Sequence, residues 1–182
     1  MSDNWQTIVD VEASPDEARR LGEGIKLWLL EERIICEQTV PAPEGVAFLP
    51  GGGFTRAVGA AYASAQGIDG VTIETGRRVF DSGSNGLELT CASCGTTFDV
   101  AFGDDSPWTA AVEAWHAGAD DASFACPSCH ARRRLVEWRG PWPWAFGNLG
   151  IGFWNWPPLL DAFVGTVSQR LGHHVALVRC HV

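Results

Sequence analysis

The chain has no long apolar run. No stretch of its 182 residues approaches the roughly 18 uninterrupted apolar residues that a membrane-spanning helix needs, so no membrane segment is expected. Its first ten residues, MSDNWQTIVD, contain no basic stretch followed by an apolar core, which is the pattern of a secretory signal. The expected location is therefore cytoplasmic, where thiols stay reduced. Positive charge is also scarce. Lys and Arg number 13 against 22 Asp and Glu, for a formal net charge of -9. Such a surface disfavours binding of polyanions, which takes clustered Lys and Arg. It suits solubility or a basic protein partner.

Familiar catalytic signatures are missing as well. There is no G-x-S-x-G, no H-E-x-x-H, and no paired-carboxylate constellation that the sequence alone assembles. Pro50-Gly51-Gly52-Gly53 lacks the Gly-Lys-Ser/Thr ending of a phosphate loop. An enzyme whose site gathers distant residues stays open as an alternative reading.

What is present is the material of a globular core. The hydrophobic fraction is 46% and nine residues are Trp, too apolar for a disordered chain. The length fits one domain, or one domain with a small module.

Both ends of the chain read as strand, proline-opened helix, strand. Trp5–Glu12 carries β-branched residues in loose alternation. Ser14, Pro15 and Glu17 then form a capping box with proline at the first helical position. The helix runs to about Glu32 with Ala18, Leu21, Ile25, Trp28 and Leu29 on one face. Gly22 and Gly24 cost it about 1 kcal/mol each relative to Ala, which points to close packing. A strand follows at Arg33–Val40. Near the other end, Asn148–Trp154 reads as a strand with glycine gaps. Pro157-Pro158 opens a helix with Leu160, Phe163, Val164, Val167 and Leu171 on one face, closed by Gly172. His174–Val182 is the last strand. Between the ends, Ala57–Ala65 reads as a short helix, Gly70–Phe80 as a hairpin turning near Thr75-Gly76, and Pro107–His116 as a helix.

The expected fold class is α+β: a ferredoxin-like βαβ…βαβ antiparallel sheet with an inserted module. Residues 1–40 and 148–182 would form the sheet domain. Residues 41–86 would be an irregular, partly β connection, and 87–138 the insertion.

The insertion holds the strongest signal: Cys91-Ala92-Ser93-Cys94-Gly95 and Cys126-Pro127-Ser128-Cys129-His130. Each C-x-x-C turn places two thiolates on one side of a tight loop. Two such turns supply a tetrahedral four-sulfur shell of the kind Zn²⁺ accepts. Gly95 permits positive φ, and Pro127 pre-sets φ. The paired knuckles resemble the zinc-ribbon family over 87–138. The resemblance implies one structural Zn²⁺ on Cys91, Cys94, Cys126 and Cys129, with no open coordination position for water or substrate. Thirty-one residues separate Cys94 from Cys126, against about 15–20 in the compact pattern, and the helix Pro107–His116 would occupy the excess. Iron in a rubredoxin-like site and two thioredoxin-type disulfides are the alternatives.

The remaining features read more plainly. Cys36 and Cys180 are expected as buried small hydrophobes on opposite outer strands. His173 and His181 would share a strand face but lie roughly 26 Å apart, too far to share a metal. His116 and His130 are the substitutes closest to the cysteines. Arg132, Arg133 and Arg134, with Arg139 nearby, form a basic edge that would serve a nucleic-acid-associated zinc ribbon, an alternative that the acidic balance disfavours. Trp138, Trp142, Trp144, Trp154 and Trp156 are expected to be buried where the insertion returns to the sheet. The leading functional expectation is a non-catalytic binding protein, of inhibitor or immunity type. Its partner is a protein, met through Arg132, Arg133, Arg134, Trp142 and Trp144.

Overall fold

The structure is a computed structural model that describes residues 4–42, 45–81, 87–100, 103, 105–141 and 144–181. It divides into two compact units, one formed by Met1–Asp81 with Trp144–Val182 and the other by Ser82–Pro143.

The larger unit is a six-stranded antiparallel sheet with helices packed on one face. In chain order it holds β1 (Asn4–Asp10), α1 (Pro15–Glu31), β2 (Ile35–Ala42), β3 (Gly45–Pro50), α2 (Thr55–Val58), β4 (Val71–Phe80), then β9 (Ala145–Trp154), α4 (Asp161–Leu171) and β10 (Val175–His181). The strand order is β10-β1-β9-β4-β3-β2. Strand β9 is central, paired with β1 on one side and β4 on the other. It is buried along nearly its whole length.

The capping box at the start of α1 forms as read: the Glu17 N–H donates to Ser14 Oγ, and the Ser14 N–H donates to the Glu17 carboxylate. The buried face of α1 (Ala18, Gly22, Ile25, Trp28 and Leu29) lies against the sheet and α4. Gly22 explains itself there. A Cβ on it would sit 3.0 Å from Ile73 Cγ2 and 3.2 Å from Leu149 Cδ1. Gly24 does not share that role, since a Cβ on it would meet nothing within 4 Å. Trp28 stacks on Phe163 of α4, with the Arg170 guanidinium 4.6 Å above the Trp28 ring.

The stretch Gly70–Phe80 is no hairpin. Gly76, at φ 115°, absorbs a bulge between Thr75 and Arg78, while the strand pairs with β9 on both sides of it. The strand expected at Arg33–Val40 is Ile35–Ala42 and lies at the sheet edge, with β3 and β4 between it and β9. The helix expected over Ala57–Ala65 is the single turn α2 and a 3₁₀ turn at Ala60–Tyr62. Gly59, at φ 98°, separates them. Helix α4 begins at Asp161 rather than at the prolines, because Leu160 is extended and the Leu159 N–H is held by Gln6 Oε1 in the core. Cys36 and Cys180 lie on the opposite edge strands β2 and β10, neither in a disulfide, half-buried and buried respectively. Burial raises the Cys180 thiol pKa, and the charge of Asp81 adds to this.

The tryptophans of the aromatic segment are divided between the two units. Trp138 packs inside the smaller unit against Phe98 and Phe124. Trp156 packs inside the larger unit against Phe54 and Phe153. Trp144 and Trp154 are half-buried, and Trp142 lies outside the described residues.

Asp10 ends β1. Its fully buried carboxylate accepts the N–H groups of Glu12 and Ala13 through Oδ1 and meets His173 Nδ1 at 2.9 Å through Oδ2. His173 therefore sits in the turn between α4 and β10, not in a strand beside His181. The bond to Asp10 raises its pKa above the usual 6.5, against a smaller lowering by burial. A raised folded-state pKa stabilises fully below the unfolded value, and that contribution is lost as pH rises through the folded value. As pH rises above about 6.5, hydrogen exchange of the Ala176 and Val178 amides should accelerate relative to the intrinsic rate. In a His173→Gln variant that pH dependence should be largely absent.

Candidate metal centre

The smaller unit is built from two hairpins and a helix: β5 (Glu88–Thr90) with β6 (Thr97–Asp99), α3 (Pro107–His116), and β7 (Ser123–Ala125) with β8 (Arg132–Arg134). A cysteine knuckle occupies the tip of each hairpin. Leu89, Trp108, Phe124, Leu135 and Trp138 are buried beneath. Trp138 stacks on Phe124 with ring centroids 4.5 Å apart, and Trp108 meets the same ring edge-on. The Thr90 N–H donates to the Arg139 carbonyl at 2.8 Å, which ties the end of the unit back to its first strand.

The two knuckles repeat one geometry. In the first, the Gly95 N–H donates to the Cys91 carbonyl at 2.8 Å, and the Cys91 N–H donates to the Thr96 carbonyl at 2.9 Å. In the second, the His130 N–H donates to the Cys126 carbonyl at 2.9 Å, and the Cys126 N–H donates to the Ala131 carbonyl at 3.0 Å. Gly95 and His130 occupy equivalent left-handed positions, at φ 73° and 61°. Glycine takes that conformation without strain, whereas His130 adopts it at some cost. His130 and His116 are exposed, and neither belongs to the cysteine cluster.

Four sulfurs converge between the tips. Cys91 Sγ lies 3.7 Å from Cys129 Sγ, and Cys94 Sγ lies 3.9 Å from Cys126 Sγ. All four fall within 4.8 Å of one another. A tetrahedral ion with bonds of about 2.3 Å to sulfur sets its ligands about 3.8 Å apart. The donor set and its spacing therefore fit a metal ion. The distances are well beyond the roughly 2.0 Å of a disulfide, and none of the six cysteines is in a disulfide. Cys91 and Cys126 are buried, and Cys94 and Cys129 are exposed.

Backbone donors surround the sulfurs. The Cys94 N–H, and then the Ser93 N–H, draw the Cys91 thiol down to about 6 against the effect of burial. The Thr96 side chain and N–H lower the Cys94 thiol. Cys129 receives the Ala131 N–H, which favours its thiolate, but burial and three neighbouring sulfurs outweigh that bond and push it up to about 11. Clustered thiols cannot all ionise without a cation among them. Thr96 and Ala131 are the supporting residues that motif reading overlooked. Each stands two places after the second cysteine of its motif, and that shared offset was the available signal.

The basic edge is largely engaged within the unit. Arg132 Nη2 donates to the Ser123 carbonyl and hydroxyl. Arg133 Nη2 donates to Ser93 Oγ at 2.9 Å, linking the second hairpin to the first knuckle. Arg134 pairs with Glu137, and Arg139 donates to the Val136 and Trp138 carbonyls. Side chains on β8 alternate, so Arg132 and Arg134 are exposed while Arg133 is half-buried on the other face.

Because bound sulfurs are deprotonated, metal binding releases protons and weakens as pH falls. Calorimetric titration of the metal-free protein with Zn²⁺, in two buffers of different ionisation enthalpy, should show net proton release near neutral pH. Cys126→Ser, or chelation of the ion, should remove on the order of 10 kcal/mol of binding free energy. Limited proteolysis should then cut within 82–143.

Compared with known proteins, the chain matches no family model, no curated protein and no solved structure, so its functional reading rests on the geometry alone.

Proposed function

We propose that this is a non-catalytic binding protein whose Ser82–Pro143 unit is a zinc-ribbon-like module braced by one structural Zn²⁺. The observation that carries the reading is the convergence of four cysteine sulfurs within 4.8 Å from two equivalent knuckles. Four thiolates fill a tetrahedral shell, so the bound ion holds the hairpins together and offers no position to water or substrate. The 3.7 and 3.9 Å sulfur pairs favour an ion of zinc's size in that shell.

The strand order of the larger unit supports a ferredoxin-like reading, with β4 in the place first given to Arg33–Val40. Along β10-β1-β9-β4 the order follows the split βαβ pattern, with α1 and α4 on one face. The β2–β3 hairpin then widens the sheet, and the zinc module is an insertion between β4 and β9.

The partner in this proposal is a basic protein, met in the manner of an inhibitor or immunity protein. The net charge of -9 supports it, because charge complementarity accelerates association and rejects like-charged competitors. The nucleic-acid alternative draws little support from Arg132, Arg133 and Arg134. Residues 82–143 carry eight carboxylates against four arginines, and one of those arginines is neutralised by Glu137.

Native mass spectrometry of protein purified under reducing conditions should give one zinc per chain, and a rubredoxin-like iron spectrum would sink the zinc assignment. Cross-linking in host extract should repeatedly recover one basic protein at low salt. Recovery should fall steeply as salt rises and fail with Cys126→Ser. Recovery of nucleic acid in its place would overturn the partner reading.

A further inference from the structure

We infer that the sheet face opposite α1 and α4 carries a binding site for a neutral, hydroxyl-bearing ring the size of one sugar residue. Trp5 and Trp154 wall the site, and Thr7, Thr72, Glu74 and Arg78 read the ligand. This site belongs to the larger unit and is separate from the cysteine cluster.

Its geometry begins with two glycines. On β9, Leu149, Ile151 and Phe153 point into the helix-side core, so Gly150, Gly152 and Trp154 lie on the other face. Register places Thr7 of β1 and Thr72 of β4 on either side of Gly152, and Val9 and Glu74 on either side of Gly150. Trp5 lies directly across from Trp154. The central strand thus supplies no side chain where both neighbours supply one, and its neighbours lean into the space. A Cβ on Gly152 would lie 2.6 Å from Thr72 Oγ1, and one on Gly150 would lie 2.4 Å from Phe80 Cε1. What remains is a cavity of about 190 Å³ lined by Trp5, Thr7, Thr72, Glu74, Arg78, Phe80, Asp81 and Trp154, among others. At about 30 Å³ for each water it displaces, it has room for a single ring.

The lining has the mixed character of a ligand site, apolar walls with a few oriented polar groups. The two indoles lie 5.2 Å apart, tilted by 31°. A directed chain of polar groups runs beside them: Trp154 Nε1 donates to Thr72 Oγ1 at 3.3 Å, and Thr72 Oγ1 donates to Glu74 Oε1 at 3.1 Å. Arg78 Nη1 donates to Glu74 Oε2 at 2.9 Å. The Glu74 side chain is only 14% exposed. Thr7 is 4% exposed and lines the cavity, yet among the described residues no group hydrogen-bonds its hydroxyl. That hydroxyl is open to the cavity, where a ligand can reach it.

Charge selects the class of ligand. An anion would meet the Glu74 carboxylate, and the Arg78 guanidinium is already engaged by it. A cation would meet Arg78 already seated on Glu74. A neutral ring with one apolar face and several hydroxyls satisfies the indoles by stacking and the polar chain by hydrogen bonds.

The test is a titration of ¹⁵N-labelled full-length protein with methyl α-glucopyranoside, methyl β-galactopyranoside and N-acetylglucosamine. Tetramethylammonium chloride and inorganic phosphate serve as charged comparators. At least one sugar should saturate shifts of the Trp154 indole N–H and of the amides of 72–74 and 150–152, with affinity in the millimolar range. Thr7→Val keeps the shape of the side chain and removes the hydroxyl. It should weaken that sugar about tenfold while leaving the melting temperature in place. Glu74→Gln should weaken it as well. No saturation by any of the three up to about 100 mM, saturation indifferent to Thr7→Val, or preferential saturation by either charged comparator would each overturn the assignment.

Discussion

Four sulfurs held within 4.8 Å set the central electrostatic problem of this protein. As thiolates they repel one another; as thiols they leave backbone N–H groups aimed at the wrong protonation state. The opposite shifts of Cys91 and Cys129, one down to about 6 and the other up to about 11, express that conflict. A cation resolves it and makes every donor around the sulfurs favourable at once. A cation held there would tie the two hairpins of the smaller unit together. Its hairpins are three residues a side, short even for strands. Its core is mostly aromatic rings stacked beneath the two tips.

The larger unit rests on burial of β9 instead. That strand carries Leu149, Ile151 and Phe153 toward the helices at full burial, while Gly147, Gly150 and Gly152 let backbone and neighbouring side chains close in on its other face. At Gly147 a Cβ would lie 2.5 Å from the Asp10 carbonyl, so the strand's glycines are tied to close approach. A sheet face built this way gives up the side-chain packing that would fill it, and an indole pair and a polar chain take over the surface around the gap.

What was legible in the sequence was local. Ser14, Pro15 and Glu17 announce α1 because a capping box is satisfied within one turn. The cysteine knuckles announce themselves because both ligands of each pair come from one tight loop. The α4 stripe of Phe163, Val167 and Leu171 also follows from periodicity. What could not be read depends on partners far along the chain. Gly76 looks like a turn in isolation and proves to be a bulge, because β9 pairs with both flanks of β4. The neighbour of β9 was mistaken because the β2–β3 hairpin can be added to a sheet edge without altering any local pattern. Asp10 and His173 stand 163 positions apart, and no local motif joins them. The cavity residues Thr7, Thr72 and Glu74 come together only through strand register.

The pairing of Asn4 with His181 has a consequence for how the molecule assembles during synthesis. The smaller unit is one continuous stretch whose hairpins close over short loops, so its contacts can form as soon as it leaves the ribosome. The sheet cannot close in that way. Its first strand waits between β9 and β10, both made after the smaller unit, and such long-range closure is intrinsically slow. During that interval the apolar face of α1 and the edges of β1 stand unprotected.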